Sequence, residues 1–173
     1  ESVLPKAVLD PGIFNRWGPD FAVEHGLVLA CNEGAVMTVG FGHRYPSVEV
    51  WSTSRVDQPW RVDDEGIDAV SDLLHAAHVA VSDDVPANEE WHYRPMGTGV
   101  TVPWRIILKL RISTLAGFEG GTKIYVNTIS PAALTAMLLP KLFQARAAGR
   151  IAPMDLGDEC EIPRGVLAAT WVR

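Results

Sequence analysis

Apolar and polar positions along this chain fall into a few clear periods. Residues 47–52 alternate, with Val48, Val50 and Ser52 against Ser47, Glu49 and Trp51, the period of two that marks a strand. Two apolar stretches, 26–30 and 35–41, flank the turn signal Cys31-Asn32-Glu33-Gly34 and read as a β-hairpin. Residues 104–112 alternate again, placing Arg105, Ile107, Lys109 and Arg111 on one face and Trp104, Ile106, Leu108, Leu110 and Ile112 on the other. Residues 123–129 read as a further strand, Ile124, Val126 and Thr128 against Tyr125, Asn127 and Ile129.

Two stretches carry helical spacing instead. Ile67, Val70, Leu74, Ala77 and Val81 recur at three and four residues, predicting a helix from 64 to about 82. Asp63 or Asp64 caps it, and Glu65 sits in the first turn where the helix dipole favours negative charge. Ser130-Pro131 opens a second helix with the stripe Leu134, Leu138, Leu142 and Ala145, closed near Gly149. Pro140 is expected to kink or split it. Residues 1–24, with Pro5, Pro11, Gly12, Gly18 and Pro19, read as an irregular lead-in, and 83–103 as mostly loop. Residues 25–150 form one domain, and 151–173 a tail with 166–172 as a candidate edge strand. The order of strands, helix, strands, helix predicts an α+β fold, an antiparallel sheet with helices packed on one face.

Composition narrows the function classes. The chain has 173 residues, 47% apolar and 21% charged, enough for one domain that folds without disulfides or metal. Fifteen Lys and Arg against 21 Asp and Glu leave a net charge of -6, which argues against a nucleic-acid partner held by phosphate contacts. No apolar run approaches the ~20 residues that span a bilayer, and the N-terminus shows no signal-peptide pattern, so no membrane partner is expected. Cys31 and Cys160 form no CxxC pattern, consistent with a reduced, cytoplasmic setting. The chain starts at Glu1 rather than a methionine, so it is expected to be a piece of something longer.

Candidate chemistry is sparse. Gly117-Phe118-Glu119-Gly120-Gly121-Thr122-Lys123 is not a P-loop; its glycines mark either a tight bend with positive φ or a close ligand approach. His75 and His78 have metal-compatible helical spacing but no third ligand nearby, and read as ordinary helix histidines. His43-Arg44 ends a strand where an anion could be met, though an ordinary loop histidine is the plainer reading. His92 lies in Glu89-Glu90-Trp91-His92-Tyr93-Arg94, which has the composition of a site and also of a solvated loop. Nothing forms a complete catalytic constellation, so no catalytic residue is assigned.

The string from 105 to 131, RIILKLRISTLAGFEGGTKIYVNTISP, closely resembles the C-terminal half of galactose-1-phosphate uridylyltransferase-like proteins. The matching positions include Arg111, Ser113, Thr114, Ala116, Gly117, Phe118, Glu119, Gly121, Thr122, Ile124, Tyr125, Asn127, Thr128 and Pro131. Upstream, Tyr45-Pro46-Ser47-Val48-Glu49-Val50-Trp51 resembles the aromatic-Pro-x-Glu-x-Trp strand of the same half. The resemblance implies a histidine-triad-like fold. It also implies a missing N-terminal half, upstream of Glu1, that carries the His-Pro-His nucleophile.

By that resemblance the chain supplies a sugar-phosphate or UDP-sugar binding surface in galactose-type metabolism, in a homodimer, within a nucleotidyltransferase. Gly117, Phe118 and Glu119 would sit at the hexose end, Glu119 accepting from sugar hydroxyls. Thr122 and Asn127 belong to the same segment. Arg105, Lys109 and Arg111 would meet the anion. Trp91-His92 resembles a metal-ligand pair, with zinc or iron implied for the parent enzyme. Arg105 and Ile107, however, stand where related sequences carry a histidine and an acid, and a guanidinium cannot ligate a metal. The competing expectations are a non-catalytic dimerisation or scaffold domain and, more weakly, a metal-assisted nucleotide hydrolase using His43 or His92.

Overall fold

A computed structural model describes residues 10, 12–82, 84–97, 99, 101–112 and 117–167. Its centre is a six-stranded antiparallel sheet: β1 (Val28–Cys31), β2 (Ala35–Val39), β3 (Ser47–Ser52), β4 (Ala87–His92), β5 (Arg105–Leu110) and β6 (Asp155–Leu156), in the order β4-β5-β3-β2-β1-β6. The β1–β2 hairpin and the alternation of β3 and β5 are as the pattern predicts. Register pairs Val50 with Ile106 and Val48 with Leu108 on one face, and Trp51 with Arg105 and Glu49 with Ile107 on the other.

The first face is covered by two long helices, Asp64–Val81 and Pro131–Ala147. Both start where the sequence says: the Asp63 side chain accepts from Gly66 N–H and the Ser130 hydroxyl from Ala133 N–H. Val70, Leu73, Leu134, Leu138 and Leu142 from these helices meet Met37, Val39, Val48, Val50, Ile106 and Leu108 in one core. Burial of each such side chain contributes about 1.5–3 kcal/mol. Pro140 does not split the second helix, which runs unbroken through it. Leu138 and Leu142, on either side of Pro140, are 4% and 0% exposed, so packing outweighs the lost backbone bond.

The opposite face is covered by segments that carry no clear period. The expected lead-in contains two short helices, α1 (Ile13–Arg16) and α2 (Pro19–Glu24), the second begun by Pro19 at its first position. With those names the long helices are α3 (Asp64–Val81) and α5 (Pro131–Ala147), and α4 (Gly117–Thr122) lies between them. Ile13 and Phe14 form a second apolar cluster with Trp51, Val102 and Leu167. The buried Asn15 amide ties that cluster shut: its Nδ2 donates to Leu167 C=O and its Oδ1 accepts from Leu167 N–H, both at 2.8 Å. Gly18 is required there, because a Cβ would lie 2.6 Å from Phe14 O and 2.9 Å from the Trp51 ring.

Four further expectations change. The stretch 83–103 contains β4, whose Ala-Asn-Glu-Glu-Trp-His sequence pairs along all of β5 as an edge strand. Gly117–Thr122 is a short helix, and none of its glycines has a positive φ; Lys123, at φ 60°, makes the left-handed turn instead. Residues 123–129 pair with no strand, so the alternating sequence there finds no neighbour, leaving Ile124 60% and Val126 57% exposed. In the tail, β6 pairs with β1, while Val166 and Leu167 are not in a strand and 168–172 lie outside the described residues.

Candidate functional site

The face of β3–β5 turned away from α3 and α5 opens into a cleft of about 590 Å³. Because side chains alternate along a strand, β3 sends Glu49 and Trp51 to this face, β5 sends Arg105 and Lys109, and β4 sends Glu90 and His92. Arg105 is paired in register with Trp51 on one side and His92 on the other. The β2–β3 loop adds Phe41, Gly42 and His43, and α1 with its following turn adds Phe14 and Trp17. Tyr93 and Pro103 complete the rim.

Glu49 is the organising group, a carboxylate only 6% exposed. Its Oε2 accepts from Arg105 Nη1 at 3.3 Å, and its Oε1 is hydrogen-bonded to His43 Nε2. Burial pushes its carboxyl up, but Arg105 and His43 outweigh that and hold it below the ordinary carboxylate range. The guanidinium of Arg105 lies over Trp51, 4.3 Å from the ring centroid. Two glycines bring His43 into place: Gly42 turns at φ +70°, and a Cβ on Gly40 would lie 2.7 Å from the His43 ring.

The row continues toward the sheet edge. Glu90 pairs with Lys109 at 2.6 Å through Oε1 and with His92 at 3.4 Å through Oε2. The Lys109 hydrogen bond pulls the Glu90 carboxyl down. Burial, then Arg105, pulls His92 down and favours its neutral form. The row thus runs His43, Glu49, Arg105, His92, Glu90, Lys109, with each glutamate held between two basic groups. Two of the three cations expected on this face, Arg105 and Lys109, are therefore each matched by a glutamate.

The sequence-predicted groups divide. Arg105 and Lys109 share this face with His92, as the alternation requires. Arg111 lies one residue beyond β5, exposed, its N–H donating to Pro86 C=O at 2.7 Å. Gly117, Phe118, Glu119 and Thr122 belong to α4, and Asn127 to the unpaired segment after it; the described cleft lining includes none of them. Arg44, beside His43, lies 3.6 Å over the ring of Tyr125, joining that segment to the β2–β3 loop. Glu49 entered the sequence reading only as part of the strand that carries the resemblance, with no site role, and the aromatic wall was not singled out. The available signal for Glu49 was an acid between Val48 and Val50 in a strand buried at every position.

A metal at His92 has little to hold it. Arg105 already supplies a cation to Glu49, and among the described residues no group of three His, Cys, Asp or Glu side chains is arranged to take an ion. A larger, more open depression near Cys31, of about 1030 Å³, is lined by Glu33, Asp155 and Glu161 with Arg146. Arg146 is committed to Glu159, 2.9 Å from Nη2 to Oε1, so that depression offers little to an anion.

The antiparallel sheet with paired helices on one face and a cleft on the other is a fold that solved structures share. An ADP-glucose phosphorylase from Arabidopsis thaliana with bound ADP-glucose is similar over 68% of this chain and 41% of its own, at 19% identity and a TM-score of 0.60. A uridylyltransferase mutant is similar over 81% of this chain and 53% of its own, at 16% identity and a TM-score of 0.60. A galactose-1-phosphate-uridylyltransferase-like protein from Arabidopsis thaliana covers 70% and 46%, at 19% identity and a TM-score of 0.57. The chain thus spans about half the length of these neighbours or less, and the likeness is one of fold. By sequence it belongs to the DUF4921 family, a domain of unknown function, whose pattern matches residues 3–169. No curated protein matches the sequence.

Proposed function

We propose that this chain is the C-terminal-type half of a uridylyltransferase-like nucleotidyltransferase and supplies the surface that binds a sugar phosphate or nucleotide sugar. The nucleophilic histidine would come from a further segment, the N-terminal half. One observation carries the reading: the sheet face opposite the helices opens at Arg105 into a cleft with donors at its inner end and aromatic rings around it. Apolar walls with a few convergent polar groups are the usual build of a small-molecule site.

In this reading Arg105, Lys109 and Arg111 bias the face toward phosphate. Gly117, Phe118, Glu119, Thr122 and Asn127 belong to the sugar end, with Glu119 accepting from hydroxyls. A homodimer and a cytoplasmic location fit it, the latter from two free cysteines. Among the described residues no helix is long and apolar enough to cross a membrane.

Isothermal titration of the chain, alone and joined to its upstream half, with UDP-glucose, UDP-galactose and glucose 1-phosphate tests the proposal. Micromolar binding weakened by Glu119→Gln supports it. Absence of binding below millimolar concentration in both forms, with transferase activity indifferent to Glu119→Gln, sinks it.

A scaffold or dimerisation role is the second reading. It is favoured by Phe118, Ile124 and Val126, apolar side chains 57–60% exposed on α4 and the segment after it. Light scattering that finds a tight dimer, together with no ligand in the titrations, would select it.

A further inference from the structure

The cleft has two unlike ends, and they select a ligand more narrowly than the proposed function does. We infer that the cleft takes the nucleoside end of a nucleotide sugar, its planar base against Trp17, Phe41 and Tyr93 and its first phosphate on Arg105 and His43. The inference rests on the proposed function for the ligand class. It differs in assigning the base, rather than the sugar, to this chain's own N-terminal helices.

The aromatic end comes first. Trp17 is 63% and Tyr93 43% exposed, large rings held at the rim of a cavity rather than buried. Trp17 and Phe41 are near parallel, 22° apart with centroids at 6.4 Å, and Phe41 stacks in turn on Phe21 at 4.0 Å. A stack that ends in an exposed indole presents a flat apolar surface to a flat partner, and every nucleobase has such a face. This wall is fixed before any ligand arrives, because Asn15, two residues before Trp17, is locked to Leu167 by two buried hydrogen bonds. A fixed wall lowers the ordering cost of binding.

The polar end supplies hydrogen-bond donors. Both oxygens of Glu49 are committed, one to Arg105 and one to His43. Glu49 and Arg105 cancel, and Glu90 cancels Lys109. Burial, then Arg105, favours the neutral form of His92, so the inner end meets an anion through hydrogen-bond donors rather than through net charge. Arg105 retains N–H donors beyond the one on Glu49, and Trp51 Nε1 is buried without a hydrogen-bond partner among the described residues. The inner end thus takes one phosphate of a nucleotide sugar through these donors, and the aromatic end sets the preference over a sugar phosphate without a base.

The test titrates the whole chain with UDP-glucose, ADP-glucose, UMP and glucose 1-phosphate. It compares the unaltered protein with Trp17→Ala, Tyr93→Leu and Glu119→Gln, with circular dichroism confirming that each variant folds. Both rim residues are exposed, so their loss leaves the core intact. The expected order is nucleotide sugar tighter than UMP, and UMP tighter than glucose 1-phosphate. Trp17→Ala should weaken nucleotide sugars about tenfold or more and leave glucose 1-phosphate unchanged.

If nucleotide sugars bind and neither rim variant changes their affinity, the cleft assignment is overturned while the proposed function survives. Equal affinity for glucose 1-phosphate and UDP-glucose has the same meaning. If binding depends on Trp17 but not on Glu119, the cleft assignment stands and the sugar end assigned to Glu119 falls. Absence of binding by any probe overturns both.

Discussion

Arg105 lies across the indole of Trp51, its guanidinium carbon 4.3 Å from the ring centroid, and the two residues face each other in register on β5 and β3. The stack fixes the direction of the guanidinium, so that one N–H meets the buried Glu49 carboxylate. Removing the cation leaves that buried carboxylate with His43 alone as its side-chain partner. Arg105→Met should cost about 3–5 kcal/mol in urea unfolding. The double variant Arg105→Met/Glu49→Gln should recover part of the loss, because the neutral amide is cheaper to bury. A double variant no more stable than Arg105→Met would show that packing on Trp51, not charge, sets the cost.

The same pair gives the protein an acid limit. The Glu49 carboxyl is held below its unfolded value near 4.3, so it contributes stability that is fully present above that pH. The contribution is lost as pH falls through the folded value. Stability should therefore drop below about pH 4, and the drop should be shallower in Glu49→Gln. Parallel stability curves for the two proteins between pH 2 and 7 would disprove the assignment.

Gly40 sets the geometry of the His43–Glu49 bond from outside it. With a Cβ 2.7 Å from the imidazole, Gly40→Ala must push His43 aside, and overpacking of this kind costs about 1–3 kcal/mol. The loss should appear in urea unfolding, with the NMR chemical shifts of the His43 ring displaced. Unchanged ring shifts would mean that the loop, not the ring, absorbs the added methyl.

Pro140 sits in the middle of α5 without a backbone N–H to donate. Restoring that donor with Pro140→Ala should stabilise the protein, by up to about 3 kcal/mol. A thermal melt that falls instead of rising would show that the proline ring packs in a way alanine cannot replace.

The parts of this fold that were legible in the sequence are those in which side-chain periodicity and burial coincide. α3 and α5 start at Asp63 and Ser130 because both the caps and the stripes are written there, and β3 and β5 keep their faces because alternation survives in register. β4 was illegible for the opposite reason. As an edge strand it is held by backbone pairing to β5, which any sequence can make, and its glutamates face partners on both sides of the sheet. The segment 123–129 misled in the converse way, carrying alternation without a neighbouring strand to pair it. At the site, Arg105 and Lys109 followed from their strand. Glu49 and Trp17 did not, since their roles depend on contacts with residues far away in sequence, Glu49 with Arg105 at a separation of 56.

The Asn15–Leu167 clasp joins residues 152 apart. Loops of that length close late, because most of the chain must already be ordered before the two ends meet. During synthesis the sheet and both long helices can be in place while α1 has only Trp51 and Val102 to pack on and lacks its clasp. The aromatic wall of the cleft is thus completed only after Leu167 has left the ribosome, and a nascent or truncated chain would have its core without its pocket.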